Sequence, residues 1–143
     1  MRAVVQEDPT GCGIASVAAL TGLPYRRVRS DARRLGIVVS DPRLWSETGP
    51  VRRLLASYGI KAARSERPFR NWIVLPPVAL LAIKWHGRGG RASWHWVLYR
   101  RGPDGPRVLD SSPSLRQPVR RDFGRMHPKW YIEIRRTDDR AAR

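Results

Sequence analysis

The chain has 143 residues, a formal net charge of +16, six tryptophans and a single cysteine. That length suits one domain with one core, and one cysteine excludes an internal disulfide framework. The longest apolar run, residues 72–83, is broken by Pro76-Pro77 and is too short to span a membrane, and the N-terminus holds no apolar signal segment. A cytoplasmic protein is the expectation, with export by a signal-independent route left open. The charge itself has two readings. A field of this size can gather nucleic acid, an anionic surface or an acidic protein. Against that, nearly all of it is arginine, scattered in pairs such as Arg26-Arg27, Arg52-Arg53 and Arg120-Arg121, as a solvated surface would have it.

In chain order, the first element follows Gly11-Cys12-Gly13. The run Ile14-Ala-Ser-Val-Ala-Ala-Leu20 reads as a buried helix that starts near Cys12, with Thr10 or Gly11 as its cap. Gly22 and Pro24 end it. Tyr25, Val28, Ala32 and Leu35 fall at helical spacing among arginines and predict a second, amphipathic helix closed by Gly36. Ser40-Asp41-Pro42 opens a loop that runs to Thr48-Gly49. A third helix carries Val51, Leu54, Leu55 and Tyr58 and stops at Gly59.

The period then changes. Residues 60–63 read as a short strand, Arg64 to Arg70 as a polar link, and the stretch near Asn71 as a turn of helix. Pro77 to Trp85 is a continuous apolar run and predicts a central strand. His86 to Arg91 reads as a flexible hairpin-type loop and Trp94 to Arg101 as the next strand. Dense turn chemistry from Arg101 to Pro106 then leads into a paired strand, Arg107 to Asp110. A loop rich in Ser and Pro precedes a last strand, Trp130 to Ile134, and the tail 135–143 is expected to fray. Helices first and antiparallel strands second make an α+β domain over residues 1–143.

Cys12 is the natural centre of any chemistry. At the first turn of a helix a sulfur lies beside unpaired N–H groups and the positive end of the macrodipole, both of which favour thiolate. Gln6 lies six residues upstream and could fold back as a hydrogen-bond donor. Of the three histidines, His86 and His127 read as surface residues. His95 heads a strand between Trp94 and Trp96, and the predicted hairpin sets it beside Asp110. If Asp110 accepts the Nδ1–H of His95, the imidazole is held ready to act on a nucleophile. Of the two tryptophans, one is expected in the core, while the other could line a substrate groove. One cysteine and three unclustered histidines support no metal site, and no phosphate loop or cofactor signature is present.

The order Gln6, Cys12, His95, Asp110 resembles the papain-like cysteine peptidases, and within them the C39 (bacteriocin-processing) family and its stand-alone relatives. The family spacing of Gln six residues before Cys-Gly is met by Gln6 and Cys12-Gly13. A His heading an apolar strand roughly eighty residues later is met by His95, and an Asp some fifteen residues beyond it by Asp110. The resemblance implies a papain-like fold and a bacterial or phage-encoded thiol hydrolase. In it, Cys12 would be the nucleophile, His95 the base, Asp110 the orienting acid and Gln6 an oxyanion donor, with a peptide or protein as substrate and no cofactor. Two positions differ from the family pattern: Gly11 stands where an acid usually precedes Cys-Gly, and Ser111-Ser112 separates Asp110 from Pro113. The competing expectation is a non-catalytic basic module that holds nucleic acid or an acidic partner.

Overall fold

In the computed structural model, which describes residues 1–135, three helices come first and an antiparallel sheet follows, so the chain is α+β. The expected fraying of the tail beyond Arg135 lies outside the described residues. Helix α1 spans Cys12–Thr21 and is buried on all sides from Cys12 to Leu20. Its alanines and Gly13 explain how a helix can sit so deep. A Cβ on Gly13 would come within 3.1 Å of Val51 Cγ2 and 3.4 Å of Trp96 Cδ1. Helix α2, Tyr25–Arg34, buries only Tyr25, Val28 and Ala32, and turns its arginines outward. Helix α3, Gly49–Ser57, buries Val51, Leu54 and Leu55. The loop expected between α2 and α3 contains a 3-10 turn, Pro42–Trp45, because Asp41 accepts the Arg43 N–H and Pro42 sits at its start.

The sheet runs β1 (Lys61–Ala62), β7 (Trp130–Arg135), β3 (Val78–Arg88), β4 (Arg91–Gly102), β5 (Gly105–Leu109) and β6 (Val119–Arg120), with β2 (Arg67–Pro68) also pairing β7. The last strand thus enters between the first strand and the central hairpin. The segment read as a polar link contains β2, whose pairing partner is 63 or so residues away and so leaves no local pattern; it is set by Arg67↔Tyr131 and Pro68↔Trp130. The stretch near Asn71 is a turn rather than helix, with the Asn71 side chain accepting from the N–H groups of Ile73 and Val74. The flexible loop expected from His86 to Arg91 shrinks to Gly89-Gly90. Their φ values of 56° and 78° close a two-residue hairpin, so both strands run to its tip.

Each face of the sheet is covered. The helices pack against Leu80, Ala82, Trp94, Trp96, Leu98, Leu109, Ile132 and Ile134. The opposite face, with Ala79, Leu81, Ile83, Val97, Tyr99 and Val108, is roofed by Leu75 and Met126 and by the rings of Phe69, Trp72 and Phe123. Strand period alone assigns Trp94 and Trp96 to the helical face and His95 to the other. Both tryptophans are buried, in an edge-on cluster with Trp130 whose centroids lie 4.8–5.6 Å apart. The expectation that one of them lines a groove is therefore not met. Trp96 also donates its Nε1–H to the Leu44 carbonyl at 2.7 Å, which ties the 3-10 turn to the sheet.

Trp96→Phe keeps most of the packing but strands the Leu44 carbonyl. We expect it to lower stability by about 1–3 kcal/mol, read as a lower denaturant midpoint with an unchanged slope. An unchanged midpoint would mean that this tie carries no weight.

Candidate active site

The site is assembled where β5 stops. On β4 the even-numbered residues direct their N–H groups toward β5, since Gly102↔Gly105 closes that hairpin and Arg101 N–H goes the other way, to the Pro77 carbonyl. Leu98 pairs with Leu109, and there β5 ends, so the N–H of Trp96 has no strand partner. Cys12 fills the gap: its sulfur accepts the Trp96 N–H at 3.5 Å. The first residue of α1 is thereby placed at the open edge of β4, in line with β5, where side chains from either face can reach it. Cys12 is a free thiol, 6% exposed.

His95 and Asp110 share the face away from the helices. Asp110 follows Leu109 and so comes level with Val97, a diagonal neighbour of His95, roughly 7–8 Å apart at the backbone. Only the outer ring nitrogen spans that gap. His95 Nε2 meets Asp110 Oδ1 at 2.7 Å, so the expected Nδ1 contact is replaced by Nε2 and Nδ1 is left for Cys12. Beside His95 the pairing slips: Ile83 faces His95 but the next pair is His86↔Ser93, which makes Lys84-Trp85 a bulge, with Lys84 at φ 52°. Such bulges bend and twist a strand and re-aim its neighbours.

Burial opposes a charge on His95. Its hydrogen bonds to Asp110 and to Cys12, together with their negative charge, outweigh that and raise its pKa to about 9. Burial likewise opposes the charge on Asp110, which is 1% exposed. The carboxylate is nevertheless held below its ordinary range by His95, the Ser112 N–H and Arg120. Arg120 reaches Asp110 Oδ2 at 3.0 Å.

Gln6 is buried beside this group but not as expected. Its Nε2 donates to the carbonyls of Asp8 and Pro9, each at 3.0 Å, and its Oε1 accepts from Ser111 Oγ at 2.7 Å. Two carbonyls can only be met by the amino end, so the amide orientation is fixed. In this arrangement both donors of Gln6 are committed to the loop before Cys12, and neither is free for an oxyanion. The backbone joins the same clasp, Gln6 N–H to the Ser111 carbonyl at 2.9 Å. Ser111-Ser112, which separates Asp110 from Pro113, thus holds Gln6 with one residue and Asp110 with the next, through Ser112 N–H to Oδ1 at 3.1 Å.

A Cβ on Gly11 would lie 1.9 Å from Tyr25 Oη, which is itself bonded to Asp8 Oδ2 at 2.6 Å, with Arg29 on the same oxygen at 2.9 Å. The carboxylate of the entry loop comes from Asp8, and Tyr25 occupies the space a side chain at position 11 would need. Gly11 is the helix N-cap, with no side chain to bond the first turn, and Thr10 Oγ1 donates to Val39 instead. The N–H groups at the start of α1, that of Cys12 first, are left for another acceptor.

Cys12, His95 and Asp110 are therefore brought together, and Gln6 lies next to them in a scaffolding position. His86 and His127 are exposed, and His86 bonds the Lys84 carbonyl and Ser93 Oγ through its two ring nitrogens. Among the described residues no set of three His, Cys, Asp or Glu could hold a metal ion, and no helix is long and apolar enough to cross a membrane. Comparison with models of protein families, with curated proteins and with solved structures gives no significant match.

The pair makes stability depend on pH with a definite sign. The raised His95 contributes fully below its ordinary value of 6.5 and loses that contribution as pH climbs through about 9. The lowered Asp110 contributes above 3.8 and loses it as pH falls below. Thermal melts are expected to show a decline between pH 6.5 and 9 that flattens in His95→Ala. The same decline in both proteins would contradict this assignment.

Proposed function

We propose that the chain is a thiol-dependent acyl-transfer hydrolase, a C39-like cysteine peptidase on a papain-like fold. The observation that carries the reading is a partly buried imidazole between a carboxylate on Nε2 and a cysteine at an uncapped helix start. Helices on one face of a C-terminal antiparallel sheet, with the nucleophile at the head of the first helix, support the fold assignment. So does the chain order Gln6, Cys12, His95, Asp110.

The chemistry follows from the geometry. His95 takes the thiol proton of Cys12 on Nδ1, and the imidazolium is steadied by Asp110. The sulfur forms a bond to the carbonyl carbon, and the oxyanion meets the Cys12 N–H and the field of the helix start. His95 returns the proton to the leaving nitrogen as the C–N bond breaks, which leaves a thioester. Water, deprotonated by His95, adds to the thioester, and collapse releases the acid and restores Cys12. Gln6 supports the oxyanion side in one of two ways: by releasing a carbonyl to donate itself, or by fixing the loop that sets the angle of the Cys12 N–H.

The surplus of cations bears on substrate. No acid occurs between residues 67 and 103, a stretch that includes the β3–β4 hairpin projecting past His95. Lys84 and His86 are exposed on it, and Lys129 lies over the Trp85 ring at 4.7 Å. An acidic peptide or protein segment suits that approach better than a basic one.

A cleavage screen over peptide libraries, with Cys12→Ala as control, tests the reading. Wild type is expected to yield products that the control lacks, with Gln6→Ala slower than wild type yet above the control. Identical profiles for wild type and Cys12→Ala would overturn it. In that case, salt-sensitive binding to nucleic acid or an acidic protein would favour the basic-module alternative.

A further inference from the structure

The row of charge does not end at Asp110. Strand β6 pairs with β5 through Val108↔Arg120, which sets Arg120 on the same sheet face as Asp110 and His95, one strand further out. Arg120 Nη1 donates to Asp110 Oδ2 at 3.0 Å, while its Nε and Nη2 bond both oxygens of Asp122 at 2.9 and 2.7 Å. That second, forked contact fixes the plane of the guanidinium and therefore the direction of Nη1. The Arg120 side chain is only 15% exposed and Asp110 1% exposed, so solvent screens their contact little. Across α1, β4, β5 and β6 the charged groups alternate: Cys12, His95, Asp110, Arg120 and then Asp122. No other charged group of the described residues bonds Asp110.

We propose that Arg120 is a positioning residue of the site: it holds and neutralises Asp110, so that Asp110 aims the imidazole while the balancing charge for protonated His95 falls to Cys12. The proposal rests on reading the site as a thiol-dependent acyl-transfer centre. An isolated carboxylate in this position would bind the imidazolium tightly and compete with the sulfur for it. With Arg120 in place the carboxylate is already compensated, and its free alignment is spent on orienting Nε2 so that Nδ1 faces the thiol. Loss of Arg120 leaves a buried oxygen without its donor and removes one positive charge from the row. Every neighbouring group then gives up its proton less readily.

The test needs no substrate. Because Cys12 is the sole thiol in the chain, its alkylation by iodoacetamide can be followed by intact mass from pH 4 to 10. The feature that matters is the alkaline step at which His95 loses its proton. In Arg120→Leu this step is expected to move to higher pH, by about one unit. Arg120→Lys, which keeps the charge, is expected to return most of the shift. Arg120→Gln keeps a donor for Asp110 without the charge, so it carries the comparison if Arg120→Leu does not fold, and is expected to shift in the same direction. A merely structural arginine would alter melting temperature and leave that step in place. If folded Leu or Gln variants superimpose on a reactive wild type, the proposal about Arg120 is wrong and the acyl-transfer reading stands. If wild-type Cys12 shows only the single rise of an ordinary thiol, the acyl-transfer reading fails and takes the proposal with it.

Discussion

Strand β5 ends at Leu109, and the Trp96 N–H that a longer strand would have bonded is bonded instead by the sulfur of Cys12. Much else follows from that vacancy on the edge of β4. It draws the start of α1 into line with the sheet, where a residue on the far face, His95, can meet a thiol that belongs to the helical face. It requires α1 to come close, which Gly13 and the alanines allow, and it sets the chain before Cys12 against Tyr25, for which Gly11 leaves room. The residues that stop β5 are the same ones that serve the site. Asp110 leaves the strand to bond the Pro118 carbonyl with its N–H and His95 with its carboxylate, and Ser111 turns to clasp Gln6.

The electrostatics are as economical as the backbone. A buried carboxylate costs several kcal/mol unless it is paired and hydrogen-bonded, and Asp110 has an imidazole, a backbone N–H and a guanidinium around it. The imidazole is flanked in turn by Asp110 and the sulfur, which together raise its proton affinity despite burial. Breaking any one member leaves an uncompensated group behind, so these residues act as a unit and their effects should not add.

Much of this was legible in the chain because local chemistry states it. The three helices follow from apolar spacing and glycine stops, and the β4–β5 hairpin follows from the turn chemistry of residues 101–106. With that hairpin in hand, His95 beside Asp110 is close to forced. Other features depend on partners distant in sequence. Strand β2 is two residues long and exists only through β7, and the insertion of β7 between β1 and β3 has no local signature. The choice of Nε2 over Nδ1 is a matter of register, one residue past Leu109, that strand assignment alone does not fix. Gln6 has the spacing of an oxyanion donor but is held by carbonyls two and three residues away, a contact between neighbours that sequence spacing does not show. Arg120 looked like one of many paired arginines; only the two-residue strand β6 distinguishes it.

The central claim is that Cys12 and His95 share a proton and a charge. The most direct measurement is the titration of His95 by nuclear magnetic resonance, in wild type and in Cys12→Ser. The account predicts a midpoint near 9 in wild type and a fall of more than one unit in Cys12→Ser, with the Nδ1 signal affected more than Nε2. A midpoint near 6.5 in both proteins would mean that the two side chains are neighbours without being coupled, and would contradict the account.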